Sequence, residues 1–348
     1  MSASANNMTP SISVVIIGRN EGRRLARCLE SVRRTPGFDE SGTELIYVDS
    51  NSKDGSPELA ASYGARVIVL DAQRTTAALG RNAGWRAARG EFILFLDGDT
   101  ILHPGFAQAA LAPMLQDSSI VAVWGHRREI HPEASIYNRI LDLDWVYAPG
   151  IAEFCGGDVL MRRSALDEAG GYDAELIAGE EPELCRRMRA RGYRILHIDH
   201  PMTGHDLQIT RFSQYWKHAA RAGHAFAEIS ARFRLSEDKF WDAERKRNLI
   251  RGFFWMGSFA LAVIISALLL TVWPLLIWLA MLLLLSLRSA WKSRWKSQDI
   301  PALLLYGVHS HLQQIPICVG QLGYAMDQKR GNRRTLIEYK EPDQAQAK

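Results

Sequence analysis

Long apolar runs are scarce in the first 250 residues of this 348-residue chain, although hydrophobic residues make up 47% of it. Cysteine is scarce too: Cys28, Cys155, Cys185 and Cys318 show no paired spacing. That excludes a disulfide framework and a zinc site, and predicts reduced thiols in a cytosolic compartment. The opening MSASANNMTP has no apolar core, so no signal peptide is expected and the body of the chain should stay on the side where it is made. A formal charge of +4 is mild, and its basic residues crowd the borders of the late apolar runs. Such a pattern favours an anionic membrane surface over nucleic acid. The length allows one large domain or two smaller ones.

What is present centres on residues 91–100, Glu-Phe-Ile-Leu-Phe-Leu-Asp-Gly-Asp-Thr. Five consecutive apolar residues read as a strand buried on both faces, which belongs in a largely parallel sheet. The strand ends in Asp97 and Asp99, at the sheet edge where open α/β folds keep their ligand crevice. Two carboxylates there suit Mg2+ or Mn2+, which in turn would hold a diphosphate. An acidic turn closing the strand is the plainer alternative.

The same pattern recurs upstream. Residues 11–18 (SISVVIIG) form a buried strand that stops at Arg19-Asn20-Glu21-Gly22, before a helix with Leu25, Cys28, Leu29 and Val32 on one face. That polar turn has no glycine-rich, lysine-bearing loop of the kind a nucleotidyltransferase would want. Residues 44–48 (ELIYV) end in Asp49 and a polar run in which Ser56 before Pro57 marks a helix start. Asp49 can accept from a base or ribose, and the capped loop is compatible with that. A third strand at 65–70 precedes a helix over 75–89 that carries Arg81 among small residues. A helix over 104–115 and a strand over 120–124 follow. Right-handed crossovers deliver all the loops after parallel strands to one side, so Asn20, Glu21, Asp49, Asp97 and Asp99 should share an edge and form a nucleotide-diphosphate site.

The middle third adds Gly156-Gly157-Asp158 before a strand over 159–163, where a double glycine marks a tight bend or close backbone approach. Glu180 and Glu181 open a helix running to about Ala190. The helix dipole alone explains acids in a first turn, and a general base also sits well there. His205, beside Asp206 and after a strand over 194–198, is either a core histidine or a ligand.

These motifs resemble those of the family 2 glycosyltransferases, inverting enzymes of the GT-A fold, over roughly 11–206. The opening strand and Asn-Glu turn match Val14 to Glu21, and the aspartate-rich loop matches Asp49 to Ser56 with Ser50 and Asn51 in place of the usual aspartate and glycine. The Asp-x-Asp motif falls on Asp97 and Asp99, the acceptor loop on Gly156 and Gly157, and the Glu-Asp base motif on Glu180 and Glu181. Glutamate replaces the expected aspartate at 181, which moves the carboxylate outward. The Gln-x-x-Arg-Trp motif of processive synthases is absent, since Gln214-Tyr215-Trp216-Lys217 does not match it, and this points to single-sugar transfer.

The resemblance implies an α/β, Rossmann-like, mostly parallel sheet flanked by helices. It also implies a nucleotide-diphosphate sugar donor, a UDP- or GDP-sugar, held by Asn20, Glu21, Asp49, Arg81 and Asp97. The metal would be held mainly by Asp99, with Asp97 and His205. Gly156, Gly157 and Asp158 would meet the acceptor, and Glu181 or Glu180 would be the base. A non-catalytic membrane scaffold with the same fold is the competing class.

Residues 253–287 are 35 in a row without charge. About 20 apolar residues cross a bilayer, so two short spans turning near Trp273-Pro274 fit, and one long helix kinked at Pro274 is the alternative. Basic clusters flank both ends, which places both ends in the cytoplasm. The expected organisation is a disordered 1–10, a GT-A catalytic domain at 11–208, amphipathic juxtamembrane helices at 209–250 and a transmembrane hairpin at 251–289. An interfacial or re-entrant helix at 290–330, preferred over a third span, and a cytoplasmic tail at 331–348 complete it. The stretch 210–233 suits the membrane surface or a wall of the acceptor site, or packs on the catalytic domain. A multi-pass protein of the inner (cytoplasmic) membrane with its catalytic domain in the cytoplasm would meet a lipid-linked acceptor.

Overall fold

The computed structural model describes residues 11–36, 38, 43–71, 75–237 and 239–331. The expected disordered N-terminus and nearly all of the expected tail lie outside them.

The first half is an α/β layer. Strands β1 (Ile12–Gly18), β2 (Glu44–Asp49), β3 (Arg66–Val69) and β4 (Phe92–Asp97) alternate with helices α1 (Arg23–Arg33), α2 (Ser56–Ser62) and α3 (Ala77–Ala87). They pair in parallel in the order β3-β2-β1-β4. Beyond β4 the sheet becomes mixed. Strand β8 (Val159–Arg162) runs antiparallel to β4 and to β6 (Ile120–Glu129), while β9 (Arg194–His205) pairs parallel with β6. Two short strands, β5 (Thr100–Leu102) and β7 (Gly150–Ala152), run antiparallel to β9. An all-parallel order therefore holds for β1 to β4 alone, with β6 and β9 as a second parallel pair beyond the antiparallel β8. Antiparallel pairing needs no crossover helix, so strand and helix alternation does not forecast it.

The centre of the sheet is buried on both faces because strands β1, β2, β4 and β8 are mostly apolar. Phe92, Ile93, Leu94 and Phe95 are fully buried, as are Val14 to Ile16 and Ile46 to Val48. Leu25 and Leu29 of α1, Trp85 of α3, Phe106 of α4 (Phe106–Gln116), Leu166 of α6 (Arg163–Ala169), and Leu184 and Met188 of α7 (Glu180–Ala190) join that core. The short α5 (Ile136–Asp142) leads from β6 toward β7. Strands β6 and β9 extend past the 120–124 and 194–198 expected from their apolar runs. Their polar outer halves stay paired through register shifts that include His126↔Pro201, and Glu129 ends opposite His205. His205 thus closes a strand.

The rest of the described chain is helical: α8 (Phe212–Arg232), α9 (Asp242–Leu268), α10 (Trp273–Lys292), α11 (Ile300–Leu312) and α12 (Gln314–Arg330). Helix α9 is continuous from Asp242, so no boundary falls between the juxtamembrane and apolar segments at 250. It turns at 269–272 into α10, and Trp278 Nε1 donates to Ser258 Oγ across the pair at 3.0 Å. The single helix expected within 290–330 is two helices meeting at Gln313. Pro316 cannot donate to the Leu312 carbonyl, which ends α11, whereas a proline in the first turn of α12 is tolerated. Helix α12 packs on α8 and α9, and α11 packs on α10 and α5. Helices α9 and α10 are long and apolar enough to cross a membrane, and most of each apolar window is exposed.

Candidate active site

The sequence folds into a site because two polar turns lock onto one another. Asn20 adopts a left-handed conformation (φ 54°), which asparagine tolerates. Its N–H donates to Ser52 Oγ at 2.8 Å, and its Oδ1 accepts from the Lys53 N–H at 2.8 Å. The Gly22 N–H donates to Asp54 Oδ2 at 2.9 Å. The turn after β1 and the loop after β2 are therefore one unit.

Asn20, Glu21, Arg81, Asp97, Asp99, Gly156, Gly157, Glu180, Glu181 and His205 line a single cavity of about 580 Å³. Asp49 and Asp158 do not. Asp49 is fully buried, accepting from Tyr47 Oη at 3.1 Å and the Ser52 N–H at 2.7 Å, so it shapes the loop beneath the cavity. Asp158 is also fully buried, accepting from the Asp97 N–H at 2.9 Å and Thr203 Oγ1 at 2.7 Å. It fixes the backbone of Asp97 from behind.

Arg81 is the hub. One guanidinium nitrogen donates to Asp97 Oδ1 at 2.9 Å, and the other lies 2.8 Å from Glu180 and 3.1 Å from Glu181. Burial works against its charge, but Glu181, Asp97 and Glu180 together push its pKa well above the usual value. A Cβ on Gly157 would stand 2.3 Å from the Arg81 guanidinium, so only glycine lets that loop close over the ion pair. Of the double glycine, Gly157 makes the close approach and Gly156 has open space around it.

The two glutamates differ. Glu180 is turned into Arg81, with its side chain 5% exposed, whereas Glu181 keeps 15%. Burial, then the neighbouring Glu180 carboxylate, raises the Glu181 pKa to about 7, with Arg81 pulling the other way. That is a poise suited to a general base at neutral pH.

Asp97, Asp99 and His205 place three ligand atoms within 4.8 Å of one another. His205 Nε2 is 3.4 Å from Asp99 Oδ1. Burial, and then Arg127, Arg24 and His218, hold the imidazole well below its usual pKa, so it is in the neutral form that ligates a metal. Two carboxylates and a neutral imidazole fit Mn2+ or Mg2+. Both oxygens of Asp97 face arginines, Arg81 at 2.9 Å and Arg127 at 3.5 Å, which leaves Asp99 and His205 the better-placed ligands.

Several lining residues carried no sequence signal. Arg127 lies 4.8 Å over the Trp145 ring and approaches Asp97 and Asp158. Trp145 in turn meets the His205 ring edge-on at 4.9 Å. The position of Arg127 depends on β6 running past Trp124. His218, Arg221 and Phe226 of α8 also line the cavity, so the 210–233 stretch is a wall of the site, and it packs on the catalytic domain through Ile229 against Leu176 and Arg221 on the Ile177 carbonyl. Cys155 and Cys185, thirty residues apart in sequence, are free, buried thiols with sulfurs 3.5 Å apart.

An acidic rim above a Rossmann-like sheet, with a carboxylate, carboxylate and imidazole triad beside a buried arginine and glutamate pair, defines the GT-A class. The family model described as Glycosyl transferase family 2 matches residues 13–170, and that of Glycosyl transferase family group 2 matches 92–291. This chain belongs to glycosyl transferase family 2. The glycosyltransferase AglE of Haloferax volcanii is 23% identical over 198 residues, 53% of this chain and 64% of AglE. The chain thus spans less than two thirds of that relative. The O-antigen chain rhamnosyltransferase WbaN of Salmonella anatum is 22% identical over 265 residues, 67% of this chain and 84% of WbaN. The mannosyltransferase PcManGT from Pyrobaculum calidifontis, solved in complex with GDP-Man and Mn2+, shares the fold with a TM-score of 0.56. It is 16% identical, and the match covers 92% of this chain and 87% of that one.

Proposed function

We propose that this protein transfers a single sugar, with inversion, from a UDP- or GDP-sugar to a hydroxyl of a lipid-linked acceptor at the cytoplasmic face of the inner membrane. The observation that carries the reading is the Arg81 bridge, which brings Asp97 of the Asp-Gly-Asp turn and the Glu180–Glu181 pair to one cavity wall. Asp99, His205 and Asp97 would hold a divalent ion, which when bound supplies charge neutralisation for a leaving diphosphate. Asn20 and Glu21 border the donor end, above the loop that Asp49 braces. Glu181 takes the proton of the attacking acceptor hydroxyl, and Glu180 keeps Arg81 oriented beside it. Arg81 holds Asp97 and the base in fixed separation and adds positive charge next to the departing phosphates. Gly157 lets the acceptor loop lie flat against that pair.

The membrane half of the reading rests on α9 and α10. Leu268, Leu270 and Leu284 are 77%, 93% and 68% exposed, which in water would cost stability with no return, whereas a bilayer would cover them. Together α9 and α10 fit a hairpin whose ends share one side with the cavity, while α11 folds back onto α5 and α12 onto α8. The test is direct: the protein purified in detergent with Mn2+ should be stabilised by one of a panel of UDP- and GDP-sugars and should hydrolyse that donor slowly without acceptor. No response to any nucleotide sugar would leave the scaffold reading standing.

A further inference from the structure

Helix α8 lines the cavity with His218, Arg221, Ala222, Ala225 and Phe226, residues spaced by three or four so that they share one face. His218 lines the same cavity as His205 and Asp99 of the metal triad. The eight steps from His218 to Phe226 span about 12 Å at 1.5 Å per residue. At the far end the wall is aromatic. The Trp241 ring lies 4.6 Å from Phe226 and 6.3 Å from Phe154, and stacks on Phe240 at 5.3 Å. Phe154, Phe226 and Trp241 all face the cavity.

Trp241 also sits in an uncommon backbone state, φ 62° and ψ 9°, at the residue preceding α9. A bulky side chain there is strained, and such strain persists where the surroundings fix it, often at ligand sites. Here it turns a half-buried indole into the cavity at the foot of the helix that enters the apolar region. The ledge is continuous with the base. A Cβ on Gly179, just before Glu180, would meet Ile229 at 2.4 Å and Ala225 at 3.3 Å, so the start of α7 rests on α8 one residue from Phe226.

We propose that Trp241, backed by Phe226 and Phe154, is the platform on which the acceptor's sugar ring stacks. The inference rests on the glycosyltransferase reading above and extends it to the acceptor. Glu181 needs an acceptor hydroxyl in reach, so the acceptor ring must occupy this part of the cavity. A pyranose has an apolar C–H face and a polar rim; the indole covers the face while Glu181 and Arg221 meet the rim. A lipid chain would need an unbroken apolar wall, and Arg221 and His218 interrupt this one.

Saturation-transfer NMR on the full chain in detergent tests it, with Mn2+ plus UDP or GDP and the methyl glycosides of glucose, mannose, galactose and N-acetylglucosamine as probes. At least one glycoside should receive saturation on its ring protons. Trp241→Ala should weaken that binding by roughly three- to tenfold, and Trp241→Phe should restore most of it. Nucleotide affinity should be equal in all three proteins, which shows that the variants fold. Unchanged glycoside binding in Trp241→Ala, or none in an unmodified protein that binds nucleotide, overturns the platform. Binding of farnesyl phosphate that depends on Trp241, without any glycoside binding, overturns it in favour of a lipid chain. Failure of the unmodified protein to bind either nucleotide instead overturns the transferase reading itself.

Discussion

The guanidinium of Arg81 lies 2.9 Å from Asp97 Oδ1, while the same side chain reaches Glu180 at 2.8 Å on a helix that begins 83 residues after that aspartate. One buried cation therefore sets the separation between the candidate metal motif and the candidate base. Removing it strands three carboxylates in the wall of a cavity. Arg81→Met is expected to destabilise the fold by about 3–5 kcal/mol, the usual cost of leaving a buried partner uncompensated. Arg81→Lys should recover only part, because one ammonium cannot span both acids as a planar fork does. Denaturant unfolding in detergent reads both, and wild-type stability in Arg81→Met would show that water replaces the bridge.

The pH profile follows from Glu181. Its pKa is raised to about 7 by burial and by Glu180, so the carboxylate that accepts a proton predominates only above neutrality. Transfer should therefore rise with pH up to about 7 and level off above it. The same shift works against the fold in the opposite sense: stability from this group is present below the unfolded glutamate value and is lost as pH rises through about 7. Glu181→Gln should abolish transfer while nucleotide-sugar binding survives. A variant with near-normal turnover would place the base elsewhere, with Glu180→Gln the next to measure.

Metal dependence should show a hierarchy. Asp97 is engaged by Arg81 and faces Arg127, whereas Asp99 and His205 meet at 3.4 Å. Chelation should remove activity, and Mn2+ should restore it. Losing a ligand should weaken the ion at least as much as losing an outer partner, roughly 10- to 100-fold. His205→Ala and Asp99→Asn should therefore raise the Mn2+ concentration for half-maximal activity by at least that factor, and by more than Asp97→Asn does. Equal Mn2+ requirements in wild type and His205→Ala would remove the imidazole from the ligand set.

Much of this site was legible in the sequence, and the unread part has a physical reason. Strands β1, β2 and β4 announced themselves as apolar runs stopped by acids, and crossover handedness alone brought Asn20, Glu21, Asp97 and Asp99 to one edge. The pairing of β8 between β4 and β6 was not legible, because an antiparallel neighbour leaves no mark on periodicity. Nor was the burial of Asp49 and Asp158, which depends on Tyr47 and Thr203 reaching them from neighbouring positions in the fold. Arg127 was hidden because β6 stays paired after its apolar stretch ends. The break at Gln313 was readable from Pro316.

Topology can be mapped with single cysteines because the four native ones are buried. Leu270, 93% exposed, sits in the turn between α9 and α10, and Leu235, 92% exposed, lies after α8 on the catalytic side. A membrane-impermeant maleimide applied to intact cells should label Leu270→Cys and leave Leu235→Cys untouched until the cells are opened. Labelling of both, or of neither, in intact cells would rule out a hairpin that crosses the bilayer.

Helices α8 and α12 meet backbone to backbone, and this contact supports the cavity wall. A Cβ on Gly223 would stand 2.0 Å from the Ile317 carbonyl oxygen, and one on Gly320 would stand 2.0 Å from that of Ala220. Neither helix can yield without moving Arg221 and Phe226, which flank the contact and line the cavity. Gly223→Ala and Gly320→Ala should each cost about 1–3 kcal/mol by overpacking and should reduce transfer as well. Because both push apart the same two helices, the double variant should cost less than the sum. Gly257 in α9 has open space around it, so Gly257→Ala controls for the effect of replacing a helix glycine. A fall in melting temperature and activity for the first two but not for Gly257→Ala would tie the C-terminal helix to the site. Wild-type behaviour of Gly320→Ala would mean that α12 can separate from α8 without disturbing the cavity.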